Sequence, residues 1–117
     1  MKRDDVGGEL LKGHLEMLLL SVLEHGPLHG YAIIEQLRDR SAGVFRLAEG
    51  TIYPALHRLE SAGYLVSAWS HHDGRRRRDY TLSAAGREAL ADRRTAWSAF
   101  SAAVDGVVFR PALELAI

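Results

Sequence analysis

The segment from about Leu10 to His25 constrains the fold of this chain most strongly. Leu11, Leu15, Leu18, Leu19 and Val22 recur at helical spacing. Leu10, Met17 and Leu20 form a second apolar stripe on another side of the same helix. A helix that is apolar on two sides has to be buried on two sides. One side faces the core of its own domain, and the other needs a second cover. A chain of 117 residues is one domain's worth. A domain of that size buries a smaller share of its surface than a larger one, so a partner chain is a natural second cover.

The rest of the chain reads as short elements separated by Gly and Pro. Gly26-Pro27 ends the first helix. A second helix is predicted over about His29 to Arg40, with Ile33, Ile34 and Leu37 inward, followed by a loop around Gly43. A third spans about Glu49 to Ala62 and stops at Gly63. Its Ile52, Ala55, Leu56 and Leu59 face the core, while Gly50, Pro54, His57 and Ser61 face away, with Arg58 at the edge. Strands are predicted over Tyr64–Trp69 and Arg78–Leu82, joined through a loop, His71–Arg77, that contains the turn signal Asp73-Gly74. Ser83 is a good N-cap for a last helix over about Ala84 to Val108. There Leu90, Trp97 and Val104 stand seven apart, accompanied by Phe100 and Val107, and make a heptad-like seam. The predicted fold is mainly α with a two-stranded β-wing. A winged helix-turn-helix occupies residues 1–83, and a C-terminal dimerisation helix with its tail occupies 84–117.

Composition excludes several functions. There is no cysteine, hence no disulfide framework and no thiolate zinc site. His71-His72-Asp73 lies in a turn, where adjacent histidines rarely share a metal, so no metal and no cofactor are expected. Neither nucleophile-elbow spacing nor a glycine-rich phosphate loop is present, which argues against an enzyme. The N-terminus lacks a signal-peptide pattern, and the apolar run Leu15–Leu23 carries Glu16 and is too short to span a bilayer, so a cytoplasmic protein is expected. Formal net charge is zero, yet Arg75, Arg76, Arg77 and Arg78 stand together. A local basic patch can bind phosphate when the whole chain is neutral.

Four segments resemble the PadR family of transcription regulators. Leu11-Lys12-Gly13 with Leu15 and Leu18-Leu19-Leu20 is similar to its opening. Gly26-Pro27-Leu28-His29-Gly30-Tyr31 is similar to its turn into the second helix, and the stretch from Gly50 to Glu60 to its recognition helix. Gly74 with the four arginines, then Tyr80, Leu82 and Gly86, resembles its wing. Ala48 and Asp79 depart from the family, which often has a Ser-like cap and a basic residue there. The resemblance implies a dimeric bacterial regulator, usually a repressor released by a small ligand. A winged-helix ligand-binding or protein-interaction module without DNA binding is the alternative.

On this reading the DNA-binding candidates are Lys12, Tyr31, Gly50, Thr51, Tyr53, Pro54, His57, Arg58, Arg75, Arg76, Arg77 and Arg78. Hydroxyls near a helix N-terminus suit phosphate, and an arginine one to two turns on suits guanine O6 and N7. Tyr53 could equally pack against the second helix, and Arg78 could be partly structural. Leu10, Leu20, Leu90, Trp97 and Val104 are expected at a homodimer interface. The place of Trp97 resembles that of a tryptophan lining a flat ligand pocket in some small PadR-type sensors. Met17, Trp97, Phe100 and Ser101 are therefore the candidates for a planar aromatic effector, the alternative being that Trp97 is a packing residue.

Overall fold

The computed structural model describes Leu11 and residues 13–110. Leu10 and Lys12, the first an interface candidate and the second a DNA candidate, lie outside the described residues. The element order is α1 (Leu15–Val22), β1 (Leu28–His29), α2 (Gly30–Arg40), α3 (Glu49–Ser61), β2 (Leu65–His72), β3 (Arg75–Leu82) and α4 (Ala84–Val108). Against the expected 10–25 span, α1 is shorter. Gly13 adopts φ +89°, and the chain turns again from Leu23 towards Gly26, at φ +150°.

Each element begins and ends for a local reason. His29 caps α2, its Nδ1 accepting the Ala32 N–H at 3.0 Å. Ala48 offers α3 no side-chain cap, but its extended backbone still lets its carbonyl accept the Ile52 N–H at 3.1 Å. Past the end of α3, Gly63 at φ +86° lets the Tyr64 N–H reach back to the Leu59 carbonyl at 2.9 Å. Asp73 and Gly74 both have positive φ, 52° and 75°, which makes a two-residue type I′ turn. The strands therefore run on to His72 and Arg75, and Arg75, Arg76 and Arg77 join Arg78 within β3 instead of lying in the predicted loop. The wing also has a third member. The two residues of β1 pair antiparallel with β3, Leu28 opposite Tyr80 and His29 opposite Asp79, giving the sheet order β1-β3-β2.

The core joins all of these elements. Leu19, Leu20 and Leu23 are fully enclosed with Ile33, Ile52, Leu56, Leu59, Leu65 and Tyr80. Leu90 of α4 closes the cluster. Leu20 at 0% and Leu90 at 2% exposure are thus covered by their own chain, which corrects their expected place at a dimer interface. An apolar stripe shows that a residue is buried without showing by what. Burial pushes the Tyr80 phenol above its ordinary pKa, helped by the charge of Glu60.

α4 is fixed at its start and leaves large apolar side chains exposed from Trp97 onward. The Ser83 hydroxyl accepts the Gly86 N–H at 3.0 Å and donates to the Gly63 carbonyl at 2.6 Å. A Cβ on Gly86 would come within 2.1 Å of the Tyr64 carbonyl oxygen, so only glycine fits this joint. Gly86 and Leu90 are the buried residues of this 25-residue helix. Among the described residues, no helix is long and apolar enough to cross a membrane.

Gly86→Ala is expected to lower stability by about 3 kcal/mol, the upper end of the usual cost of overpacking. Gly106→Ala, in the same helix with open space around its Cβ position, is expected to raise it by about 0.5–1 kcal/mol by removing backbone entropy from the unfolded chain. Urea denaturation of both variants checks the pair. A Gly86→Ala midpoint equal to that of the unsubstituted protein would mean that the Tyr64 carbonyl gives way freely.

Candidate nucleic-acid interface

The inner face of α3 is spent on the core through Ile52, Ala55, Leu56 and Leu59, which leaves an outer face of a different character. Gly50, Thr51, Pro54, His57, Arg58 and Ser61 are all exposed there. Two of them expose backbone: nothing lies within 4 Å of a Cβ built on Gly50. Pro54 has no N–H for the carbonyl one turn before it. Tyr53 is half-buried, its ring lying where a Cβ on Gly30 would sit, so it packs on the start of α2. Tyr31, one residue further along α2, is 61% exposed.

α3, the start of α2 and the wing surround one open groove of about 930 Å³. Tyr31, Tyr53, His57, Trp69 and the four arginines line it. The strand register divides those arginines. Arg76 and Arg78 lie opposite His71 and Trp69 and share their face, whereas Arg75 and Arg77 point to the other. Arg75 and Arg76 are exposed. Arg77 faces Asp79 at 3.7 Å, and its Nε is closed off from solvent without a hydrogen-bond partner. Arg78 is tied inward: its Nε donates to the Ser67 hydroxyl at 2.8 Å, and its Nη2 lies 3.7 Å from Glu60 on α3. The Ser67 hydroxyl in turn donates to Glu60. Spacing alone did not single out Trp69, Ser67 or Glu60. The two-residue turn is the signal that places the first two, because it fixes which residues of β2 face which arginines.

Arg58 has a neighbour across the helices. Its Nε lies 4.0 Å from Glu16 on α1, and the same carboxylate is 3.1 Å from Arg93 on α4. Glu16 and Arg93 also border a second cleft, of about 330 Å³, between α1 and α4. Met17, Trp97 and Phe100 line it, joined by His14, whose ring meets the indole edge-on at 5.0 Å. Ser101 is not among its lining residues, and its hydroxyl donates to the Ser98 carbonyl. Trp97 is 42% and Phe100 58% exposed.

Three helices and a basic antiparallel wing on a shared core define a winged-helix protein. Tyr53 and His57 of α3 and the wing arginines open onto the same groove. Residues 19–92 match the Transcriptional regulator PadR-like family, and the chain belongs to that family of transcriptional regulators. It is 41% identical over 80 residues to the transcriptional regulator Rv3488 of Mycobacterium tuberculosis, covering 66% of this chain and 72% of that one. A transcriptional regulator from Clostridium thermocellum superposes with a TM-score of 0.79 at 25% identity, over 86% of this chain and 98% of its own. Bacillus subtilis PadR in complex with operator DNA superposes with a TM-score of 0.62 at 25% identity, over 68% of this chain and 45% of that one.

The position of α4 against α1 is held by a clasp beside this cleft. Both guanidinium nitrogens Nη1 and Nη2 of Arg94 donate to Glu24 at 2.8 Å. The hydrogen bonds from Arg94 hold the Glu24 carboxyl well below its ordinary 4.5, at about 2. A carboxylate depressed in the folded state adds stability above its unfolded pKa and loses it as pH falls through the folded one. The melting-temperature advantage of the unsubstituted protein over Arg94→Gln is therefore expected to hold above pH 4.5 and to vanish as pH falls towards 2. An advantage that does not change across that window would separate the clasp from Glu24 ionisation.

Proposed function

We propose that this protein is a homodimeric, ligand-responsive repressor of the cytoplasm that binds a palindromic operator. The observation that carries this is the shared groove: Tyr53 and His57 of α3, Tyr31 of α2 and the arginines of the wing line it together. A helix of this kind enters the major groove, and its N-terminal residues meet base edges. Thr51 and the open N-terminal turn at Gly50 suit close approach to phosphate, Pro54 offers apolar contact only, His57 and Arg58 suit base edges, and Tyr31 suits the flanking backbone. Arg75 and Arg76, exposed on opposite faces of β3, suit the phosphates beside the groove. Arg77 meets Asp79 within the wing, and Arg78 meets Glu60 on α3.

Pairing is supported by the free length of α4. Trp97, Phe100, Val104, Val107 and Val108 leave large apolar surface in water, as expected of a helix whose partner is another copy. On this reading residues 1–83 contact the operator, and residues 84–117 pair the chains. The α1–α4 cleft supports an effector. Trp97 offers a flat face, Met17 an adaptable wall, and the remaining opening admits a planar, mostly apolar molecule. Such a molecule changes operator affinity only if it binds unequally to the two dimer arrangements.

Gel shifts against DNA upstream of the chain's own gene test the repressor reading, and complete absence of a shifted band on any duplex would defeat it. A dimer making roughly 6–10 phosphate contacts is expected to lose about a thousand- to a hundred-thousand-fold in affinity between about 50 and 200 mM salt. Changing Arg75 and Arg76 together to Ala should flatten that dependence and leave sequence preference intact, while Arg78→Ala should chiefly lower thermal stability. For the effector, calorimetry with planar aromatic compounds compares Trp97→Ala with the unsubstituted protein. Weaker binding by at least about tenfold is expected from losing a stacking face that is largely desolvated. A dimeric Trp97→Ala that binds as tightly would make Trp97 a packing residue.

A further inference from the structure

Trp69 stands in β2 opposite Arg78 and is 55% exposed, unusual for an indole that serves only a core. Two cations share it. The Arg76 guanidinium carbon lies 4.4 Å from the ring centroid, and that of Arg78 5.2 Å. Arg76 and Arg78 are two residues apart on one face of β3, so their charges are neighbours and repel. The electron-rich face of an indole attracts guanidinium and relieves that repulsion.

The two arginines differ in what else holds them. Arg78 is bonded to Ser67 and faces Glu60, in the last turn of the recognition helix α3. Arg76 is exposed, makes no ion pair among the described residues, and rests on the indole. A continuous series of contacts thus runs from Glu60 through Ser67, Arg78 and Trp69 to Arg76. It begins on the recognition helix and ends at the groove-facing cation of the wing. An unsupported arginine samples many rotamers and loses that freedom on meeting an anion, whereas a stacked one has lost part of it already.

We propose that Trp69 is a positioning residue of this interface: its indole, anchored through Arg78 to Glu60, holds the Arg76 guanidinium ready for a phosphate of duplex DNA. This rests on the DNA-binding reading above. It adds that the wing's cation is preset relative to α3 by an aromatic side chain.

The test is a double-mutant cycle on Arg76 and Trp69, read by fluorescence anisotropy of a labelled mixed-sequence duplex across a salt series, with a thermal melt of each variant. Arg76→Ala is expected to lower affinity and reduce the salt slope by about 0.9 for each phosphate that Arg76 neutralises. Trp69→Leu is expected to weaken binding about three- to fivefold per chain, the scale of an exposed cation–π contact. In that background Arg76→Ala should cost less than it does alone, and Trp69→Phe should restore most of the loss. If the two substitutions are additive, or Trp69→Phe binds no better than Trp69→Leu, the positioning role is overturned while the DNA reading stands. If Arg76→Ala changes neither affinity nor slope, the wing does not meet phosphate there, and the proposal falls with that part of the reading. Should Trp69→Leu fail to melt cooperatively, the same cycle run with Trp69→Thr, a strand-forming residue without a ring, decides: additivity overturns the proposal and coupling supports it.

Discussion

The two-sided burial of α1 is the constraint on which the rest of the structure depends. Leu19, Leu20 and Leu23 lose all contact with solvent, and α1 packs on α2 and α3 on one side and on α4 on another. Fully burying one leucine stabilises a fold by about 1.5–3 kcal/mol relative to leaving it exposed. Three such residues at the centre therefore outweigh the ion pairs around them, since exposed pairs contribute about 0–1 kcal/mol each. The pairs have another use. Glu16 meets Arg93 and Glu24 meets Arg94, so carboxylates from either end of the α1 segment grip α4 at adjacent residues. Leucine packing is non-directional, so these carboxylates, with the Ser83 and Gly86 joint, set the direction in which α4 leaves the core.

A second constraint comes from the turn Asp73-Gly74. Positive φ at both residues closes the hairpin in two residues and pairs His72 with Arg75. From there the register sends Arg76 and Arg78 to the face shared with Tyr80 and Leu82, and Arg75 and Arg77 to the other face. A run of four like charges thereby becomes two pairs with different surroundings. Arg77 and Arg78 meet Asp79 and Glu60, and Arg75 and Arg76 stay in water. A formal net charge of zero thus coexists with a basic wing edge.

Much of this architecture was legible in the sequence, for identifiable reasons. The α3 pattern Ile52, Ala55, Leu56, Leu59, its stop at Gly63 and the Ser83 cap rest on local rules of periodicity and backbone conformation, and local rules are written in local sequence. Three things were not. Two-residue β1 is a strand only because β3 passes beside it, so nothing within Leu28-His29 announces it. Arginines carry little strand preference, so Arg75–Arg77 read as loop although the turn signal beside them already implied strand. Leu20 and Leu90 read as interface because a stripe records burial and leaves its partner unnamed. At the candidate site, the exposed face of α3 and the α1–α4 cleft were legible in outline. The links Glu60–Ser67–Arg78 and Arg58–Glu16–Arg93 join distant segments that only folding brings together.

The dimensions of α4 bear on the two roles proposed for Trp97. Beyond Leu90 the helix runs through residues 91–108, about 27 Å at 1.5 Å per residue. A stripe about 10 Å wide along that length, the diameter of a helix, covers far less than the roughly 800 Å² per partner of a standard stable interface. A dimer closed by α4 alone would therefore be weak, and pairing of useful strength has to draw in surface beside α4. The apolar surface next to it is the cleft lined by Met17, Trp97 and Phe100. On the proposed reading, the effector site and the pairing surface are then one surface. An indole there is both a packing residue and a ligand wall, and a molecule that enters the cleft necessarily changes how the two chains meet.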